Sequence, residues 1–207
     1  MSRPSFALLV AVVTLACCGT SAPKMHGRSA ANVGWRMRHQ ILYSRDGQDQ
    51  VFDGYMIRAG DAFLVKAFAG PGVELFTVVR NGEAHREELH IPGLQGKIDM
   101  AAVGEDIALV YQGGCARPRG AGSAECSLLG ESMVETYDAT GDLVERRFPK
   151  AHGIGLAISY EDYGERSGAR LAGKVTLRWG EGKSTMVIRL LSNEPMPDFD
   201  RRLLEVR

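Results

Sequence analysis

Neither sign of charge is in surplus in this 207-residue chain, where 25 Lys and Arg balance 25 Asp and Glu. Proteins that bind nucleic acid usually carry a basic surplus or stripe, so no nucleic-acid partner is expected. Catalytic motifs are also missing. No serine sits in a G-x-S-x-G elbow. "PGLQGK" lacks the spacing of a phosphate loop, and "GIGLAI" lacks the third glycine of a dinucleotide fingerprint. "HREELH" at 85–90 places its histidines five apart on a predicted strand, hence on opposite faces, whereas a zinc protease needs H-E-x-x-H on a helix. Glu161 and Asp162, being adjacent on a strand, face apart and form no carboxylate dyad. The chain is therefore read as a non-enzyme with no catalytic residue, metal or cofactor. Cysteine is scarce too, with four in all, and two of these, Cys17 and Cys18, stand side by side.

The residues ahead of that pair explain it. Met1 to Ser5 carry one positive charge, Arg3, and Phe6 to Ala16 are apolar apart from Thr14, the layout of a bacterial secretory signal. This run falls short of the roughly 20 apolar residues a membrane-spanning helix needs. Leu15-Ala16-Cys17 resembles a lipobox, which implies a diacylglyceryl thioether on Cys17 and cleavage just before it. Thr14 replaces the usual leucine, and Cys18 fits the motif less well. Thr14-Leu15-Ala16 also reads as an ordinary A-x-A-type cleavage site, and either reading exports the protein. Burial of acyl chains contributes about 0.8 kcal/mol per methylene, so two or more chains anchor stably. Residues 19–33 are small, polar and aperiodic, as in a tether. The expected organisation is a signal over 1–16, a lipidated N-terminus and tether over 17–33, and a single domain over 34–207.

The other two cysteines, Cys115 and Cys126, enclose "ARPRGAGSAE", which holds no core-forming residue. In an exported protein this predicts a disulfide stapling a loop, worth about 3 kcal/mol at that loop length. Zinc would need two further ligands, and none is near in sequence.

From Trp35 onward apolar residues alternate with period two: Trp35, Met37, Ile41 and Tyr43; then Val51, Tyr55 and Ile57; Phe63, Val65 and Ala67; Val73, Leu75 and Val79. Asp46-Gly47, Gly60-Asp61, Pro71-Gly72 and Asn81-Gly82 stand between these runs. Pro71-Gly72 suits a type II turn and Asn81-Gly82 a type I′ turn. A meander of about five antiparallel strands to Ile91 is predicted. Met100, Val103, Ile107 and Val110 then recur at helical spacing, predicting one helix from about Ile98 to Val110 in spite of Gly104. Strands resume over Met133–Tyr137, Leu143–Phe148, Ile154–Tyr160, Leu171–Trp179 and Met186–Leu191. A last short element is expected in "EPMPDFDRRLLEV". The fold class is mainly β (α+β): a strongly curved antiparallel sheet forming an open half-barrel, with a helix covering its mouth.

Two stretches, "GDAFLVKAFAGPGVELFTVVRNGEAHREELHIPG" at 60–93 and "ISYEDYGERSGARLAGKVTLRW" at 158–179, resemble the outer-membrane lipoprotein localisation family, the periplasmic carrier LolA and its receptor LolB. With the strand order and central helix, the resemblance covers about Trp35 to Ser192. It implies a half-barrel whose apolar cavity accepts acyl chains. It also implies an outer-membrane lipoprotein facing the periplasm, held by its N-terminal lipid anchor, with acyl chains or lipoproteins as partners. The receptor's exposed leucine between the turn's proline and glycine is missing from Gly70-Pro71-Gly72, and Leu171-Ala172 stands where the family often has Leu-Pro. Parity nominates Tyr55, Ile57, Phe63, Val65, Leu75, Ile158, Leu177, Trp179 and Ile188 as lining residues. The alternative is an accessory outer-membrane lipoprotein with a filled core that binds another envelope protein.

Overall fold

The computed structural model describes residues 34–94, 99–116, 118, 120–180, 182 and 184–206. The signal, the tether and the lipidation candidate Cys17, with its neighbour Cys18, lie outside the described residues.

Five strands form the opening meander: β1 (Gly34–Arg45), β2 (Gln48–Ala59), β3 (Ala62–Phe68), β4 (Glu74–Asn81) and β5 (Ala84–Leu89). Helix α1 (Met100–Tyr111) follows, and then β6 (Gly122–Leu128), β7 (Glu131–Tyr137), β8 (Leu143–Phe148) and β9 (Leu156–Glu161). A small separate hairpin, β10 (Gly164–Arg166) and β11 (Ala169–Leu171), precedes β12 (Lys174–Trp179) and β13 (Ser184–Met196). Apart from that hairpin, the strands make one antiparallel sheet in the order β5-β4-β3-β2-β1-β13-β12-β9-β8-β7-β6. The last strand joins the halves by pairing with β1 along its whole length. Both ends of the sheet stay unpaired, which gives the open half-barrel expected from the sequence.

Topology places the helix. The meander ends at one edge of the sheet, β5, and the next strand, β6, lies at the other edge. The chain between them must travel the width of the sheet, and α1 is the part of it that packs on the concave face. Ala108 of α1 is buried with Met37, Met56, Phe63, Val65 and Val78. Leu109 and Val110 join a second group with Ile158, Leu177 and Ile188. Asp99 caps the helix, its side chain accepting from the Ala102 amide at 3.2 Å. Gly104, out of place in a helix by propensity, lies where a Cβ would stand 2.6 Å from the Glu87 carboxylate on β5.

The turns follow local chemistry with one difference. Asp46 and Gly47 both have positive φ, as a type I′ hairpin requires, and Gly72 at φ 79° fits the type II turn. Asn81, in contrast, is still paired in β4, opposite Ala84. The turn residues are Gly82 and Glu83, and only Gly82 has positive φ, the pattern of type II′.

Three segments differ from the sequence reading. The stapled loop is not wholly irregular, because its second half begins edge strand β6, with Cys126 paired opposite Met133. Alternation there is carried by Ala124, Cys126 and Leu128, residues too small or too few for a hydrophobic signal. The expected strand at Leu171–Trp179 is broken at Ala172-Gly173, where the Gly173 amide bonds the Asp162 carbonyl at 3.0 Å. The final strand is longer than expected and runs through Pro195 to Met196 before a 3-10 turn at Arg201–Leu204. That turn places Leu204 against Ile57, Leu64 and Val79 on the convex face.

Candidate functional site

The concave face is sorted by register. Met37 pairs with Met56, Met56 with Val65, and Val65 with Val78, so these four form one row across β1 to β4. On the other half, Tyr43–Met186–Leu177–Ile158–Arg146 is a continuous row across β1, β13, β12, β9 and β8. Where α1 covers this face the floor is closed, and Phe63, Val78 and Ile158 are each 0 % exposed. Toward the β1–β2 turn a strip stays half-buried, Ile41, Tyr43, Phe52, Trp179 and Met186, while Trp35, also half-buried, lies at the opposite end of β1. Tyr43 meets Trp179 edge-on at 6.4 Å between ring centroids. Apolar and aromatic side chains left partly open on a concave surface are the raw material of a hydrophobic binding site.

Two polar clusters hold the helix over that face. Arg146 of β8, 2 % exposed, forms an ion pair with Glu135 of β7, 0 % exposed, at 2.7 Å. Its guanidinium also donates to the Leu109 carbonyl at 2.8 Å, Val110 at 3.2 Å and Gln112 at 2.9 Å, and to that of Gly113. These are the carbonyls a helix C-terminus leaves without partners, and a cation there also meets the negative end of the helix dipole. Glu135 is saturated in turn by the Cys115 amide at 2.8 Å and the Tyr137 hydroxyl at 2.5 Å. Burial of a charged pair costs free energy unless every remaining donor and acceptor is met, as happens here.

The second cluster lies on the exposed flank of the helix. Asp106 of α1 accepts from Trp179 Nε1 at 3.1 Å and lies 2.8 Å from His152 Nε2, with Glu105 3.9 Å from His152 Nδ1. Burial pushes the His152 imidazole down, but the Asp106 hydrogen bond and the charges of Asp106 and Glu105 outweigh it and raise the pKa. On Asp106 burial wins over the same pair and holds the carboxyl above its usual value. Beneath the helix, His39 of β1 is buried, its Nε2 3.3 Å from the Tyr111 hydroxyl. Loss of solvent pushes its pKa down to about 4, so it is neutral near pH 7.

The lining residues expected from sequence divide between two faces. Phe63, Val65, Ile158, Leu177, Trp179 and Ile188 all belong to the concave clusters. Tyr55 and Ile57 instead pack on the convex face, under Leu204 and Phe199. The cause is the two-residue turn at Gly60-Asp61, which sets Ala59 opposite Ala62 and so pairs Ile57 with Leu64, not with a residue of its own parity. Leu75 is buried beside the irregularity between β3 and β4 and joins neither concave cluster. The Cys115–Cys126 disulfide is present, with 5.4 Å between Cα atoms. His85 and His90 diverge: His85 pairs opposite Arg80, while His90 meets Thr77 at 3.0 Å across the other side of β4. The sequence reading did not single out Arg146, Glu135, Asp106 or His39.

No family model matches the chain, and no curated protein matches it. Solved structures do. A LolA superfamily protein from Nitrosomonas europaea is 8 % identical with a TM-score of 0.51, over 84 % of this chain and 90 % of that one. An outer membrane lipoprotein-sorting protein domain from Vibrio parahaemolyticus is 9 % identical with a TM-score of 0.52, over 83 % of this chain and 88 % of that one. The chain shares the fold of these two structures.

Proposed function

We propose that this chain is an envelope lipoprotein, anchored through lipid on Cys17 at the outer membrane and facing the periplasm, that holds acyl chains on its concave face during lipid or lipoprotein handling. The observation that carries this reading is the half-buried strip of Ile41, Tyr43, Phe52, Trp179 and Met186 beside α1. The fold it shares with a LolA superfamily protein and an outer membrane lipoprotein-sorting domain supports it. Binding would transfer apolar surface out of water, about 0.8 kcal/mol for each methylene, with no covalent chemistry. A long chain reaches the sealed floor only if α1 lifts, while a short one lies along the open strip.

Trp179 reports on the idea, because Trp35 is the only other tryptophan. In a Trp35→Phe variant, bromine-labelled dodecyl chains are expected to quench Trp179 fluorescence saturably, below the concentration at which they form micelles. Absence of quenching, together with no adduct in native mass spectrometry, would favour the accessory reading with a filled core. An intact mass of membrane-extracted protein tests the anchor: a diacylglyceryl mass on a chain beginning at Cys17 is expected, and an unmodified chain refutes it.

A further inference from the structure

Resting on that acyl-chain reading, we infer that the concave face selects amphiphiles with an anionic head, a carboxylate or phosphate seated on the guanidinium of Arg58. The residue stands on β2 in the concave row, directly opposite Trp35 on β1 and Phe63 on β3. Its side chain is 18 % exposed, so it is mostly withdrawn from water. Its Nε donates to the Gly60 carbonyl at 2.8 Å. Its two terminal amino groups donate no hydrogen bond among the described residues. Its ion pair with Asp61 is long, 3.9 Å and beyond hydrogen-bond reach, and the Asp61 side chain is 60 % exposed.

The other charges around it are committed elsewhere or carry the same sign. Glu135 is committed to Arg146, the Cys115 amide and the Tyr137 hydroxyl. The helix carbonyls at the C-terminal end of α1 are taken by Arg146. Arg146 itself is a second cation acting on Arg58, and Tyr111 and Tyr160, the remaining ionisable neighbours, are uncharged near pH 7 because burial raises both. Burial lowers the Arg58 pKa, only Asp61 among the nearby charged groups opposes this, and Arg146 adds to it. Guanidinium N–H donors that make no hydrogen bond among the described residues, on a side chain mostly withdrawn from water and held only by a 3.9 Å ion pair, bind carboxylate or phosphate two bonds at a time, and such charge-assisted bonds are the strong ones. Trp35 beside it offers the first methylenes of the chain an apolar wall.

The test compares heads on one tail. Dodecanoate, dodecyl phosphate and uncharged 1-monododecanoylglycerol are titrated calorimetrically into the protein and into Arg58→Gln and Arg58→Lys variants, below micelle-forming concentrations. The wild type is expected to bind the two anions about ten- to hundredfold tighter than the glyceride, as a charge-assisted pair implies. Arg58→Gln should abolish that ratio while leaving glyceride binding within about twofold, and Arg58→Lys should keep part of it. Whichever anion gains more identifies the source, fatty acid or phosphorylated lipid. Equal affinity for all three in the wild type, or a ratio that survives Arg58→Gln, overturns the inference and leaves acyl binding standing. If none of the three binds, the acyl reading fails and this one with it. Should Arg58→Gln not fold, judged by circular dichroism, the wild-type ratio and the Arg58→Lys variant decide the matter.

Discussion

Substitution of Arg146 by methionine isolates the cluster that fixes α1 to the sheet. The change keeps the apolar stem of the side chain but loses the guanidinium, whose carbon lies 5.8 Å from the Tyr160 ring centroid. What it removes is the partner of Glu135 and the donor to the Leu109, Val110, Gln112 and Gly113 carbonyls. Glu135 has no exposed surface, so its carboxylate would be left charged and unpaired in the interior. A charge stranded in that way costs about 3–5 kcal/mol. Because whole domains are stable by only about 5–15 kcal/mol, that is about a fifth or more of the total. Urea unfolding at pH 7, followed by far-UV circular dichroism, is the assay. The double variant Glu135→Gln, Arg146→Met should recover part of the loss, since the stranded charge is gone, and the cycle should give a coupling of about 1–3 kcal/mol. A single-variant loss below about 1 kcal/mol, or strict additivity in the cycle, would show that the buried pair does not hold the helix.

His39 predicts acid lability: its folded pKa of about 4 lies below the unfolded value of 6.5, so the unfolded chain binds the proton first. Its contribution is complete above pH 6.5 and is lost as pH falls to 4, a change on the order of 3 kcal/mol, and His39→Gln should flatten the unfolding free energy over that interval. Coincident pH profiles of the two proteins would refute it. His152 acts in the opposite sense. Its raised pKa makes its stabilisation complete below 6.5 and lost as pH climbs through the folded value, so hydrogen exchange in α1 should speed up with mild alkali in the wild type relative to His152→Gln, after correction for intrinsic rates. Opening the Cys115–Cys126 link with a double serine variant should cost about 3 kcal/mol in the same urea assay, and an unchanged midpoint would count against it. Gly114→Ala puts a Cβ 2.8 Å from Glu135 Oε1 and 3.2 Å from Arg146 Nη2, and a loss of about 1–3 kcal/mol is expected in the melting profile, against no change if that loop yields.

How far the sequence could be read depends on which interactions are local. Period-two alternation and Gly-containing turns are local, so the five-strand meander, the helix and most later strands were legible, and so was the disulfide from cysteine number and the expectation of export. Edge strand β6 was not, because its inward positions, Gly122, Ala124, Cys126 and Leu128, include a single large apolar residue and bury too little to leave a signal. The Pro195 strand was missed for another reason. Proline lacks a donor, yet β13 tolerates it at its far end, opposite Trp35.

The misassigned lining residues teach something more specific, because parity is meaningful only within one strand. Across a two-residue hairpin the numbers of paired residues sum to an odd value: Ala59 faces Ala62, so odd residues of β2 share a face with even residues of β3. Had the Gly60-Asp61 turn been used as a parity switch, Tyr55 and Ile57 would have been grouped with Leu64, and Met56 and Arg58 with Phe63 and Val65. The same rule exposes the polar cluster. On β7 Glu135 falls on the parity of Met133 and Tyr137, and on β8 Arg146 falls on the parity of Phe148, so opposite charges occupy inward positions on strands one turn apart. A lone charge on an apolar parity argues against the strand. Two of opposite sign on successive strands argue for a buried pair, and an inward arginine without one, Arg58, reads as a charge whose partner must come from a turn, as Asp61 does at 3.9 Å.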